Sequence, residues 1–141
     1  MVIQQVAIDP KVRRFLEERR FAVLGTINPD GTVQQTVMWY QVQGDTIMMN
    51  TRRGRVKDQN LLRDQRISIC VEDEYKYVTI SGTVEIDDDR ERGHATIKAL
   101  ATRYGGADEA ERGMRELFGK QHRVTLLLPI EKLDAHGFDD D

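Results

Sequence analysis

Arg52, Arg53, Arg55 and Lys57 crowd around a single glycine, Gly54, at the point where an apolar run ending at Met49 gives way to the polar segment through Asn60. A strand that empties into a glycine-containing basic turn at a helix start has the makings of an anion trap. Free N–H groups and the helix dipole favour negative charge there, and the guanidinium and ammonium groups add formal positive charge. The competing reading of the same residues is a solvated basic turn, because runs of like charge commonly face water.

Other chemistry is harder to find. His94, His122 and His136 are too widely spaced for a metal-ligand pattern, and His94 reads as an exposed residue of a polar helix. With no G-x-S-x-G motif, Ser81 reads as a strand residue before Gly82, and neither G-x-G-x-x-G nor a Walker sequence occurs. The acidic clusters 87–89 and 139–141 read as a helix cap and a tail. Cys70, the only cysteine, sits in the apolar run 67–71 and reads as a buried structural thiol. No catalytic residue and no metal ligand is therefore assigned. An enzyme lacking its own acid, base or nucleophile relies on a bound cofactor.

The totals narrow the setting. The 141 residues carry a net charge of −3, from 21 basic and 24 acidic side chains, so the basic turn is local and a nucleic-acid partner is not expected. The chain is long enough for one domain, 1–141, with a real core, and too short for two ordinary ones. No signal-peptide hydrophobic region precedes Asp9, and no apolar run approaches the ~20 residues of a membrane span. A cytoplasmic protein without a membrane partner is expected.

The elements that must position the basic turn follow from periodicity and turn chemistry. Asp9-Pro10 opens a helix with Val12, Phe15 and Leu16 on its apolar side. Residues 21–27 and 33–42 form a hairpin about Asn28-Pro29-Asp30-Gly31. Residues 46–51 form the third strand, and a short helix after the basic turn grips the barrel through Leu61 and Leu62. Residues 66–72 and 75–86 are the fourth and fifth strands. Gly82 on the latter permits a bulge or a close approach. Two helices, 90–104 and 108–118, are separated by Gly105-Gly106, and 123–128 is a closing strand ended by Pro129. Six strands, mostly in hairpins, predict an α+β fold: a mainly antiparallel barrel with peripheral helices. The strand 33–42 is semi-apolar on both faces, so it needs the core on one side and a partner chain or planar ligand on the other. Trp39, with Met38 and Tyr40 beside it, makes an interface credible.

Taken together, the segments 21–32 (FAVLGTINPDGT), 36–40 (TVMWY), 50–61 (NTRRGRVKDQNL), 64–71 (DQRISICV), 80–86 (ISGTVEI) and 122–133 (HRVTLLLPIEKL) resemble the pyridoxamine 5′-phosphate oxidase-like split barrels, in that family's order. The length and the Arg55-x-Lys57-x-x-Asn60 pattern are most similar to the class B flavin/deazaflavin oxidoreductases. The resemblance implies a six-stranded split barrel that binds coenzyme F420 and passes a hydride to an unsaturated small molecule. FMN, in an oxidase or flavin reductase of the same fold, is the alternative cofactor, and a non-enzymatic flavin or deazaflavin carrier the alternative role. It also implies that Arg55 and Lys57 hold the cofactor phosphate, with Val56 and Asn60 beside them. Asn50 and Thr51 would line one edge of the ring, and Gln35, Thr36 and Val37 the other. Tyr75 and Tyr77 would lie near the cofactor at the interface of a homodimer. Thr36 and Tyr40 stand where the family commonly has Pro and Phe. Arg52, Arg53 and Arg63 read first as solvent-exposed arginines, and alternatively as a basic groove for the cofactor's acidic tail.

Overall fold

The computed structural model describes residues 8–139. Helix α1 (Pro10–Glu17) starts as its sequence demands: the Asp9 carboxylate accepts from the Lys11 N–H at 2.8 Å, Pro10 takes the first helical position, and Val12, Phe15 and Leu16 are buried. Strands β1 (Ala22–Ile27) and β2 (Val33–Met38) pair antiparallel across the Asn28–Thr32 turn, where Gly31 takes a positive φ of 88°. Then come β3 (Gln41–Gln43), β4 (Thr46–Arg52), α2 (Val56–Arg63), β5 (Arg66–Asp73), β6 (Lys76–Thr83) and β7 (Glu85–Asp87). The helical pair α3 (Arg90–Gly105) and α4 (Ala107–Glu116) follows, then a single 3₁₀ turn at Phe118–Lys120. Strands β8 (Arg123–Pro129) and β9 (Lys132–His136) complete the order.

The strands form two antiparallel sheets, β2-β1-β5-β6-β9 and β3-β4-β8-β7. Leu24, Ile69 and Ile80 from the first meet Ile47, Met49, Leu126 and Leu128 from the second in one buried cluster. The α+β split barrel is thus as expected, but with nine strands among the described residues rather than six.

The extra strands arise where a continuous β-prone run changes sheets. Residues 33–42 break at Trp39-Tyr40 because the backbone of Tyr40 is committed elsewhere. Its N–H donates to the Tyr104 hydroxyl (3.1 Å), and its carbonyl accepts from Arg103 Nε (3.1 Å) and from Tyr104. Residues 75–86 break at Val84, whose N–H donates to the Gln65 carbonyl (2.9 Å), so β6 stays in one sheet and β7 crosses to the other. Tyr75 falls outside the strand, in the β5–β6 turn beside Glu74 with its φ of 58°. Strand β9 was absent from the expected set; it adds to β6 beyond the apparent stop at Pro129.

Several side chains also depart from expectation. Only Leu61 of the α2 pair is buried, and Leu62 is 56% exposed. His94 is half-buried, with Nε2 at 2.8 Å from the Gln121 carbonyl. Cys70 is half-buried on the outward face of β5, alternating with the buried Ile69 and Val71, and burial followed by the Glu72 charge pushes its thiol pKa up. Gly82 is a close approach, not a bulge: a Cβ there would sit 3.2 Å from Leu128 Cδ1, and its pairing with Ile67 is regular.

Candidate functional site

The β4–α2 turn is organised by one carboxylate. Asp58, 1% exposed in the first turn of α2, accepts from Arg53 Nη1 (2.9 Å) and from the Gly54 N–H (2.7 Å). Gly54 has a φ of 97°, a left-handed conformation that glycine adopts without strain. This clamp neutralises Arg53 and leaves Arg52, Arg55 and Lys57 without a carboxylate partner among the described residues.

Those three side chains border a cleft of about 410 Å³, walled by Val37, Met38 and Trp39 on one side and by Asn50 and Thr51 on the other. Arg123, at the start of β8, closes its floor. It is 9% exposed, donates from Nε to Asn50 Oδ1 (2.9 Å) and from Nη1 to Gln121 Oε1 (2.9 Å), and lies 5.1 Å over the Phe118 ring. Asn50 in turn donates to the Gly93 carbonyl (2.9 Å) and to Thr96 Oγ1 (2.8 Å), which ties the cleft wall to α3. The contact requires Gly93, since a Cβ there would fall 1.9 Å from the Arg123 carbonyl oxygen.

Electrostatics set this cleft apart. Lys57 is 8% exposed, and burial, followed by the charges of Arg55 and Arg123, lowers its pKa. Burial, with Arg55 and Arg52, brings Arg123 down to about 10. Packing like charges into a desolvated site raises the energy of each charged form. A multivalent anion that accepts hydrogen bonds from them removes that cost, so the donor set fits a phosphate. The donors differ usefully: a guanidinium presents a fork to two oxygens, whereas an ammonium acts as a point charge.

The cleft brings together Val37, Asn50, Thr51, Arg55 and Lys57 from the sequence-predicted set. Val56 is exposed at the start of α2 and does not line it. Asn60 is buried and donates instead to Thr26 Oγ1 (3.1 Å) and Asn28 Oδ1 (3.0 Å), anchoring α2 on β1. Gln35 points outward. The Thr36 hydroxyl is buried with no hydrogen-bond partner, two residues before the cleft-lining Met38 on the same face of β2. Tyr75 and Tyr77 do not reach the cleft within one chain; Tyr77 stacks on His136 with ring centroids 4.9 Å apart. Nor is there a groove from Arg53 to Arg63, because Arg53 is paired to Asp58 and Arg63 donates to the Ile27 carbonyl and Asn60 Oδ1.

Sequence reasoning missed Arg123 and Asp58. A lone arginine opening the otherwise apolar run 123–128 was the available signal for the first. An acid at the first turn of a helix behind a basic turn was the signal for the second.

The chain is thus a two-sheet antiparallel split barrel with a cationic cleft bordered by β2 and β4. The chain belongs to the pyridoxamine 5′-phosphate oxidase family, whose model matches residues 8–133; that family binds flavins and includes oxidoreductases. Among solved structures, conserved hypothetical protein Rv2991 from Mycobacterium tuberculosis is 28% identical, with 95% of this chain and 89% of that chain covered and a TM-score of 0.78. An F420 reductase is 25% identical over 90% of this chain and 98% of that chain, with a TM-score of 0.73. General Stress Protein 26 from Bacillus anthracis str. Sterne shares the fold at 13% identity, covering 89% and 91% of the two chains with a TM-score of 0.66. No curated protein matches in sequence.

Proposed function

We propose that the protein binds coenzyme F420 with the cofactor phosphate at Arg55 and Lys57, and reduces an unsaturated small molecule with it. The observation that carries this reading is the desolvated Lys57, set among Arg52, Arg55 and Arg123 with no carboxylate in the cleft lining among the described residues. Similarity to an F420 reductase supports the choice of deazaflavin. When bound, F420 supplies the hydride. The protein's own residues bind and orient: Arg55 and Lys57 the phosphate, with Arg52 and Arg123 deepening the positive field. Asn50 and Thr51 with Val37 form the opposed walls for the ring, whereas the Thr36 hydroxyl is buried on the face of β2 opposite Val37 and does not line the cleft. Met38 and Trp39 exclude water from the same cleft.

The reading includes a homodimer. The outward face of the edge strand β2 exposes Val33 (62%) and Val37 (68%) beside Gln35, next to Val23 and Ile27 of β1. Such an apolar edge calls for cover, and a second copy would also bring Tyr75 and Tyr77 toward a site.

Fluorescence titration of the purified protein with F420 and, separately, with FMN tests the assignment. Saturable F420 binding followed by oxidation of reduced F420 with an enone acceptor is expected. Tight FMN binding with no F420 binding replaces the reading with an FMN-dependent oxidase or flavin reductase, and F420 binding without turnover replaces it with a carrier.

A further inference from the structure

A second, larger cleft of about 740 Å³ lies against the first. The two share Trp39, Leu117 and Phe118 as a common wall. Its size falls in the range of small-molecule sites, and neither the phosphate-binding residues nor the ring walls border it.

Its lining is distinctive. Phe21, Tyr104 and Trp39 form an aromatic ladder, with centroids 5.5 Å apart for Phe21–Tyr104 and 5.3 Å for Trp39–Tyr104, and interplanar angles of 29° and 10°. Phe21 is 55% exposed, and Leu117 across the cleft is 50% exposed, so apolar surface on both sides is left open to solvent. The charged residues on its border balance in sign: Arg19 and Arg112 against Glu109 and Glu116, with Arg112 paired to Glu109. A net-neutral rim around flat apolar walls disfavours an ionic ligand, which would lose hydration without gaining a counter-charge. The open side of Phe21 at the end of the ladder favours a planar one.

We infer that this cleft binds a neutral, planar, conjugated molecule. The site lies across the shared wall of Trp39, Leu117 and Phe118 from the cationic cleft, so it is a binding site apart from the proposed cofactor ring and takes no hydride there. The rigid aromatic ladder then acts as a specificity element, selecting flat unsaturated ligands over saturated or charged ones.

trans-Chalcone, a neutral planar enone, serves as the probe. Equilibrium dialysis against the full chain without cofactor should give saturable 1:1 binding. Phe21→Glu, which puts a carboxylate on the ladder at an exposed position, should weaken it roughly tenfold, whereas Phe21→Tyr should hold it within about twofold. A chalcone carrying a carboxylate should bind more weakly than the neutral compound. Non-saturable uptake, equal binding by Phe21→Glu and wild type, or tighter binding of the carboxylate overturns the inference. F420 titrated into the same samples keeps the two questions apart. Loss of chalcone binding with F420 binding intact refutes the cleft alone, and chalcone binding without F420 binding refutes only the cofactor reading. Full displacement of chalcone by F420 refutes a separate cleft.

Discussion

Replacing Lys57 by methionine should make the protein more stable and bind its anion less well. The side chain is 8% exposed, its ammonium has no hydrogen-bond or ion-pair partner among the described residues, and its neighbours Arg55 and Arg123 repel it. Methionine keeps most of the unbranched apolar stem and deletes the charge. The ammonium reaches the cleft, yet burial of its stem and the charges of Arg55 and Arg123 raise the energy of the charged form, and methionine removes that cost. Removing it should therefore raise stability by about 1 kcal/mol or more, a Tm increase of roughly 3 °C for a chain of this size. Phosphate binding moves the other way. A charge-assisted hydrogen bond contributes about 1.5–3 kcal/mol, so the Kd for F420 should rise by roughly tenfold to a hundredfold. Differential scanning calorimetry of the free protein, paired with a fluorescence titration of F420, reads both numbers on one preparation. A structural lysine behaves oppositely: Lys57→Met would then lower Tm and leave the Kd unchanged, and that pair of results refutes the anion-site reasoning.

Arg55→Ala should weaken F420 binding by about 1.5–3 kcal/mol while leaving Tm within a degree or two, since Arg55 is exposed and its side chain makes no hydrogen bond or ion pair among the described residues; titration and a thermal melt together check it. Asp58→Asn should destabilise by about 2–3 kcal/mol, measured by urea unfolding, because a buried carboxylate that holds both Arg53 and the Gly54 N–H loses its charge. Gly93→Ala should cost about 1–3 kcal/mol or more and loosen the cleft, as the new Cβ meets the Arg123 carbonyl at 1.9 Å; a lowered Tm with weakened F420 binding is the expected readout. Binding should also weaken as pH rises into the alkaline range. Burial and the charges of Arg55 and Arg123 lower the free-protein pKa of Lys57, and the anion binds its ammonium, so affinity falls as Lys57 loses its proton while the Arg123 guanidinium keeps its charge. The corresponding stability effect has the opposite sign: the unfolded chain holds this proton more tightly, so the folding penalty is present below the lowered pKa and fades as pH rises past it. Isothermal titration calorimetry from pH 7 to 10 checks the first trend, and Lys57→Arg should shift its onset upward.

Local rules were enough for much of this molecule, and the places where they failed have a common cause. The Asp9-Pro10 cap, the apolar side of α1 at Val12, Phe15 and Leu16 and the hairpin at residues 28–31 depend on neighbours within a turn or two, so they are legible in a single sequence. The breaks at Trp39-Tyr40 and at Val84 do not. Tyr40 leaves the strand because Arg103 and Tyr104, more than sixty residues away, capture its backbone groups, and no β-propensity of Tyr or Val encodes that. The basic turn was visible as a cluster, yet which of its cations are free depended on Asp58, whose burial comes from the fold.

Arg123 shows why the site could be only half read. Its charge is in the sequence, but its role comes from β8 pairing with β4 in the register that sets Thr51 against Val124 and Arg52 against Arg123. That register brings the arginine beside Asn50, at the cleft floor and within the electrostatic reach of Arg55 and Lys57. The same pairing fixes α3, because Gly93 and Thr96 take the amide hydrogens of Asn50 while Asn50 Oδ1 takes the Arg123 Nε–H. Anion binding at Lys57 and seating of the α3–α4 hairpin therefore share one buried asparagine. A ligand that draws Arg123 toward the phosphate would strain that asparagine's bonds to α3. Tyr104, which lines the aromatic cleft, lies at the far end of that same helix.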